Sequence, residues 1–288
     1  MFKKLTRRFF LGQLLFLIVH GCKSQKTLEG GLTIGVIDYD GGTEIINQYA
    51  KFNRYLAEAT KTRIILEPTF NENKAIERLE SRAWSLVFAP PGIAAVAIAH
   101  YQYIPLFPLV GVNNVRSVLV SREDRPIRDL KNLQGKTVAL GELGSATGYY
   151  FPLFNLYGLT LAEVLFAPTP TTVLEWVAQG KADAGAVSIE EYNRYKSTLQ
   201  DTKLRILYTD PHYVPPGVVL IGSTVERNRQ EYIRKVMSEF PSKLAQEVGY
   251  IPNAPVPNYK YIISVVERVQ LLADNLQSKP VDLFEKRQ

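Results

Sequence analysis

The alternation of short apolar runs with amphipathic runs is the sequence feature that constrains this fold most. The runs 32–37, 63–67 and 84–88 are rich in β-branched and aromatic residues, which predicts strands. Apolar residues at helical spacing follow each run, between 45 and 56, over 71–82 and over 93–100. Because strands that alternate with helices pair side by side through right-handed crossovers, this region predicts a parallel sheet.

The same alternation is repeated in the second half of the chain. Further strands are predicted at 104–110, 115–121, 137–140, 163–166, 184–187, 204–208 and 218–221. We expect the last two to return to the first unit, and helices near 225–240 and 259–272 to close the chain. The predicted fold class is therefore α/β, with a second lobe inserted in the first. The expected boundaries are 32–118 plus 212–288 for lobe 1 and 119–211 for lobe 2, with hinge segments near 115–123 and 208–218.

The first 21 residues have the layout of a secretory signal, with a basic start, a short apolar core over 9–19 and a small residue before Cys22. The run TRRFFL at 6–11 resembles a twin-arginine export signal, and VHGC at 19–22 resembles a bacterial lipobox. We therefore expect a lipid on Cys22, a polar tether over 22–31 and a location at the periplasmic face of the cytoplasmic membrane. An uncleaved anchor at the membrane surface is the alternative.

Charge and composition exclude several classes of function. The formal net charge is +6, but without the four basic residues of the leader the 34 basic residues become 30 against 28 acidic ones, or +2. A nearly balanced charge gives no electrostatic basis for binding nucleic acid. With one cysteine and three histidines, the sequence offers no disulfide and no zinc-type metal site. We expect a monomer with no cofactor.

The stretch GELGSATGYYFP at 141–152 lies between a predicted strand and a predicted helix. Such a turn exposes backbone N–H groups at the positive end of the helix dipole, which favours anions. Ser145 and Thr147 add hydroxyl donors, so the stretch predicts an oxyanion site; an ordinary capped turn is the alternative. By topology, the turns that contain Tyr39 and Pro91 are expected at the same edge of the sheet.

The sequence partly resembles two functional motifs, and neither of them is complete. The run Gly135–Lys136–Thr137 lacks the first glycine of a P-loop, because position 130 is leucine, and its lysine leads into a strand. Leu143 occupies the first glycine position of a G-x-S-x-G motif around Ser145, and no histidine nearby offers a base. We therefore predict no catalytic residues.

Three motifs resemble those of the substrate-binding proteins of ABC importers for phosphonate, phosphite and phosphate. They are IRDLKNLQGKTVA at 127–139, SATGY at 145–149 and GKADAGAV at 180–187. The chain departs from the family at Ile93 or Ala94 and at Val115, where tyrosines are usual. It departs again at Thr171, where a histidine is usual.

This resemblance implies a type II periplasmic binding fold and a small phosphorus oxyanion held between the lobes for delivery to a permease and an ATPase. It implies that the loop Ser145, Ala146, Thr147, Gly148 and Tyr149 holds the phosphoryl oxygens. It also implies that Asp183 reaches the cleft, where the alternative is a residue that holds backbone N–H groups in a turn. Thr171 is either a contact or a helix cap. Two other functions stay open, an exported enzyme and a ligand receptor coupled to a sensor.

Overall fold

The strands of this chain form two mixed five-stranded sheets in a computed structural model that describes residues 31–37, 44–112, 114–199 and 202–284. The first sheet contains β1 (Leu32–Ile37), β2 (Ile64–Thr69), β3 (Leu86–Ala89), β4 (Ile104–Pro108) and β11 (Val218–Ile221). The second contains β5 (Ser117–Arg122), β6 (Thr137–Leu140), β8 (Glu163–Phe166), β9 (Ala184–Ser188) and β10 (Leu204–Thr209). Their orders are β2–β1–β3–β11–β4 and β10–β5–β9–β6–β8. The predicted α/β fold with two units is confirmed.

The chain passes between the sheets twice, from β4 to β5 and from β10 to β11. The predicted parallel pairing holds for β1 with β2 and β3. However, β5 and β11, the strands that follow the two connecting segments, run antiparallel to both of their neighbours. The predicted return of the run 204–208 to the first unit is wrong, because β10 pairs with β5 in the second sheet. The apolar pattern of this run is compatible with a strand in either sheet. The run joins the second sheet because the backbone N–H and C=O groups along the free edge of β5 need partners.

Nine α-helices connect the strands within the described ranges. They are α1 (Glu44–Thr60), α2 (Glu72–Glu80), α3 (Pro91–Tyr101), α4 (Phe151–Asn155), α5 (Pro170–Ala178), α6 (Ile189–Tyr195), α7 (Arg227–Glu239), α8 (Ser242–Val248) and α9 (Lys260–Gln270). Short 3₁₀ helices cover Leu130–Leu133, Lys196–Thr198 and Ala273–Gln277, and a π-helix covers Ala146–Tyr150. None of the helices in these ranges is long and apolar enough to cross a bilayer.

One buried core extends from the first sheet to the second. It includes Trp84 and Ile93 near the first sheet, Leu119 and Phe151 near the second, and Val265 on α9. Helix α9 packs on α3 and also on α4 and the π-helix, so it bridges the two halves. Near the C-terminus, β12 (Val281–Asp282) pairs with β7 (Thr160–Leu161). The exact lobe boundaries stay a prediction.

Candidate ligand-binding site

The loop between β6 and α4 is shaped by hydrogen bonds within it. Gly141 N donates to Gly148 O at 2.9 Å, and Ser145 N donates to Glu142 O at 3.1 Å. The Ser145 hydroxyl accepts from Gly148 N at 3.0 Å, which caps the π-helix and leaves its proton free to donate elsewhere. Gly144 has a φ of +109°, a conformation that favours glycine. We call residues 141–148 the binding loop.

The first turn of the π-helix carries two backbone donors without a partner. No described residue accepts a hydrogen bond from the N–H groups of Ala146 or Thr147. Both lie at the N-terminus of the continuous helical segment 146–155, where the helix dipole favours negative charge. The binding loop is therefore able to hold an anion through two N–H groups and the hydroxyls of Ser145 and Thr147.

The binding loop lies directly against the first turn of α3. A Cβ on Gly92 would lie 2.0 Å from Gly144 O and 2.8 Å from Ala146 N, so only glycine allows this approach. On the other side, the Ser117 hydroxyl donates to Thr147 O at 2.7 Å, which ties the loop to the start of β5. The loop is thus held between an element of the first sheet and a strand of the second.

Two cavities flank the binding loop. The cleft cavity, about 470 Å³, is lined by the start of α2, by Gly141, Glu142, Ser145 and Gly148, by the start of α5 and by the start of α6. The linker cavity, about 380 Å³, is lined by Pro90–Gly92, by 144–147 and by the two segments that connect the sheets. Ser145 lines both cavities, so the loop forms the wall between them.

The described lining of both cavities contains carboxylates and no lysine, arginine or histidine. The cleft cavity is lined by Glu72, Glu142 and Glu191, and Glu72 also borders the linker cavity. Glu191 accepts from Ser188 N at 2.7 Å as part of a capping box. The Glu142 Oε2 atom is buried and has no hydrogen-bond partner among the described residues. These carboxylates do not form a group of three metal ligands within the described ranges. The cleft cavity therefore has negative charge on its wall, while the N–H donors of Ala146 and Thr147 lie on the linker-cavity side of the binding loop.

The structure brings together five of the residues that the sequence predicts for the site. Ser145, Ala146, Thr147 and Pro91 line the linker cavity, and Gly148 with Ser145 lines the cleft cavity. Tyr39 falls outside the described residues.

Three predicted residues line neither cavity: Tyr149, Thr171 and Asp183. Tyr149 is buried and lines a different cavity behind the loop. Thr171 lies within α5 but does not line either cavity, and it is Thr169 that caps the helix, by accepting from Thr172 N at 3.1 Å. The expected role of Thr171 as a cap is therefore corrected, because the helix begins one residue before it.

Asp183 lies at the far end of the second sheet. Its Oδ2 accepts from Thr137 N at 3.1 Å, at the amino ends of the parallel strands β6 and β9. The binding loop leaves the carboxyl end of β6, roughly 13 Å away for a four-residue strand. Of the two roles considered for Asp183, the structure supports the one that holds a backbone N–H group.

Replacing Asp183 with alanine should lower the free energy of unfolding by about 1 kcal/mol, because one backbone hydrogen bond is lost. Affinity for a phosphorus oxyanion should stay within about twofold of wild type, since the side chain is remote from both cavities. Urea unfolding and calorimetry measure the two quantities. A tenfold loss of affinity at unchanged stability would contradict the structural role.

Several lining residues were not predicted from the sequence. Phe70, Asn71 and Glu72 follow β2, and Glu142 lies inside the binding loop. Glu142 offered a signal, since it follows Gly141 directly at the carboxyl end of a strand. The sequence gives no such signal for Glu191, because its residue type and position are explained equally well by a capping box.

The comparisons with known proteins concern the family and the fold of this chain. A family model described as ABC transporter, phosphonate, periplasmic substrate-binding protein matches residues 34–254. A Xanthomonas citri protein, XAC2383, solved with a bound chloride ion, superposes with a TM-score of 0.66 at 19% identity, over 83% of this chain and 98% of that one. The same protein bound to ATP superposes with a TM-score of 0.65 at 19% identity, again over 83% and 98% of the two chains.

A further solved structure is similar over the same share of the chain. PhnD1 from Prochlorococcus marinus, in complex with methylphosphonate, superposes with a TM-score of 0.58 at 16% identity, over 83% of this chain and 98% of that one. At these identities the superpositions establish the fold, while the match of the family model extends over most of the chain.

Proposed function

Since this chain belongs to the family of periplasmic substrate-binding proteins of phosphonate ABC transporters, we propose that it binds a small phosphorus oxyanion at the binding loop. The candidates are a phosphonate, phosphite or phosphate. The protein would deliver this ligand, without chemical change, to the permease and ATPase of an importer. The family is one of transport proteins, and its members are periplasmic.

The observation that carries the proposal is the pair of unpartnered N–H groups beside two hydroxyls. Ala146 N, Thr147 N and the side chains of Ser145 and Thr147 are donors on one short segment. Hydrogen bonds to a charged group contribute roughly 1.5–3 kcal/mol each. Four of them, after the cost of immobilising the ligand, are enough for a Kd of about 1 μM, or about −8 kcal/mol.

The carboxylates of the cleft cavity favour one kind of phosphorus oxyanion. A ligand with only negative charge would lie near Glu142 with no cationic side chain among the described lining residues to offset the repulsion. A phosphonate that also carries an ammonium group would offer Glu142 Oε2 the donor that it lacks. We therefore propose that the preferred ligand is an aminoalkylphosphonate. Its phosphonate lies on the linker-cavity side of the binding loop, and its ammonium reaches past Ser145, which lines both cavities, toward Glu142 in the cleft cavity.

Replacing Glu142 with glutamine should weaken binding of 2-aminoethylphosphonate about 10- to 100-fold, because a charge-assisted hydrogen bond contributes roughly 1.5–3 kcal/mol. Affinity for methylphosphonate should be unchanged or higher, since that ligand has no ammonium group. Calorimetry with both ligands gives the ratio, and the exposed Glu175→Gln is the matched control. Equal losses for the two ligands would contradict an ammonium site at Glu142.

We also propose that the protein is a lipoprotein anchored through Cys22, a residue outside the described ranges. The support is the leader, in which a basic start, a short apolar core and the run VHGC occur in order. In cells, Cys22→Ser should move the protein from the membrane fraction to the soluble periplasmic fraction, and radiolabelled palmitate should no longer be incorporated. Unchanged fractionation of the variant would contradict the anchor.

A further inference from the structure

One fully buried carboxylate takes no part in the oxyanion binding described so far. Asp210 follows β10 directly, at the start of the segment that returns the chain to the first sheet, and its exposed fraction is 0%. Among the described residues it is the only buried charged side chain. Because burying a carboxylate is costly unless hydrogen bonds compensate for it, the partners of Asp210 indicate which elements it holds together.

The Asp210 side chain holds the end of the helical segment that begins at the binding loop. Its Oδ2 atom accepts from Asn155 Nδ2 at 2.6 Å. Asn155 is the last residue of α4 and therefore of the continuous segment 146–155, whose first turn carries the two unpartnered N–H groups. Since the acceptor is a carboxylate, this hydrogen bond belongs to the stronger, charge-assisted class. The far end of the segment is thus fixed to the connecting segment.

The Asp210 backbone is connected to the other end of the same helical segment through Ser117. Asp210 N donates to Ser117 O at 2.9 Å. The Ser117 hydroxyl in turn donates to Thr147 O at 2.7 Å, and Ser117 is 2% exposed. Asp210 is therefore linked to both ends of the segment 146–155, directly at Asn155 and through one intervening residue at Thr147.

His212 holds the Asp210 carboxylate from its other side. The Oδ1 atom of Asp210 accepts from His212 N at 2.8 Å and lies 3.1 Å from His212 Nδ1. The imidazole ring is stacked on Tyr261 of α9, with ring centroids 3.8 Å apart. Since both carboxylate oxygens have partners, the side chain cannot rotate without breaking a hydrogen bond. Asp210 is therefore a rigid point of attachment.

We infer that Asp210 is a positioning residue for the binding loop. It acts through Asn155 and Ser117, and it lines neither the cleft cavity nor the linker cavity. By fixing both ends of the segment 146–155, it keeps the two free N–H groups of the first turn in the arrangement that an oxyanion requires, so the ligand does not have to order them. The inference rests on the proposed function, because it assigns Asp210 a role in that site.

Exchanging the side chains of positions 155 and 210 tests this role at constant size. Asn155→Asp places two carboxylates against each other, so methylphosphonate should bind about tenfold more weakly. The double variant Asn155→Asp/Asp210→Asn restores the hydrogen bond with donor and acceptor reversed, and affinity should return to within about threefold of wild type. Asn193→Asp, the same substitution at an exposed position of α6, is the matched control and should leave affinity unchanged. Calorimetry is performed where every variant is folded, because a purely structural role would then leave affinity unchanged.

Hydrogen exchange without ligand separates failure of this inference from failure of the proposed function. In Asn155→Asp, the amides of 141–155 should exchange about tenfold faster than in wild type, those of β1 should be unchanged, and the double variant should restore protection. If Asn155→Asp does not fold, Asn155→Ala removes the donor without adding a charge and should show the same local loss of protection.

Two results would overturn the positioning role. One is wild-type affinity or wild-type exchange over 141–155 in the folded position-155 variants, and the other is a double variant that recovers neither quantity. A wild-type protein that binds no phosphorus oxyanion would instead refute the proposed function, and the exchange rates alone would then decide whether Asp210 orders the loop.

Discussion

Replacing Thr147 with glutamate is expected to weaken binding of methylphosphonate and 2-aminoethylphosphonate by at least 100-fold. The side chain lines the linker cavity at the N-terminus of the π-helix, beside the N–H groups that we propose hold the phosphonate. A carboxylate about 4 Å from a phosphonate oxygen costs about 4 kcal/mol at an effective dielectric constant of 20. The melting temperature without ligand should change little, because Ser117 bonds to the backbone carbonyl of Thr147, which the substitution leaves in place.

Two matched variants separate charge from bulk at this position. Thr147→Gln has the size of glutamate without the charge, so it should retain at least 100-fold more affinity than Thr147→Glu. Thr147→Ser keeps the hydroxyl and should stay within a few-fold of wild type. Wild-type affinity in Thr147→Glu would exclude the binding loop as the oxyanion site.

Replacing Trp84 with alanine is expected to lower the free energy of unfolding by about 3–5 kcal/mol, the range for truncating a large buried aromatic residue. The ring is fully buried and covers Gly35 of β1, where a Cβ would come within 2.1–2.5 Å of three ring atoms. The Trp84 carbonyl also accepts from the Tyr103 hydroxyl at 2.8 Å. Urea unfolding monitored by circular dichroism measures the change.

The control at this position is Trp84→Phe. The indole N–H is buried without a hydrogen-bond partner among the described residues, so phenylalanine loses ring volume but no hydrogen bond. Its cost should be clearly smaller, about 1–2 kcal/mol. If alanine and phenylalanine destabilise the protein equally, the packing of the ring on Gly35 is not what stabilises the first sheet.

The sequence predicted most elements, because their apolar periodicity reflects burial directly. Strands β1, β2 and β3 and the helices between them follow from that periodicity, and so does the turn after β6. The turn itself was predictable from glycine and hydroxyl residues between a strand and a helix, a pattern that an ordinary capped turn shares, and its role in binding stays a prediction. The π-helix was not, since its hydrogen-bond pattern differs from that of an α-helix only by one residue in register.

The remaining features depend on which elements meet in the tertiary structure, and no local sequence pattern predicts that. The run 204–208 is as apolar as a strand of the first sheet, and only its position beside the free edge of β5 assigns it to the second. The resemblance implies that Asp183, in the motif at 180–187, reaches the cleft. In the structure its carboxylate instead accepts a hydrogen bond from Thr137 N at the opposite end of the sheet. The carboxylates of the cleft cavity come from α2, the binding loop and α6, and no local pattern indicates that these three elements meet.

Calorimetry of the wild-type protein against phosphate, phosphite, methylphosphonate, 2-aminoethylphosphonate and sulfate decides whether the protein binds a phosphorus oxyanion. We predict a Kd of about 1 μM or lower for at least one phosphorus oxyanion, with 2-aminoethylphosphonate tightest, as the proposed pairing with both the binding loop and Glu142 requires. Sulfate should bind more weakly, since it has no ammonium group and cannot share a proton with a carboxylate at neutral pH. Binding of a neutral or purely cationic organic ligand, with none of the five anions bound, would show that the protein does not bind a phosphorus oxyanion.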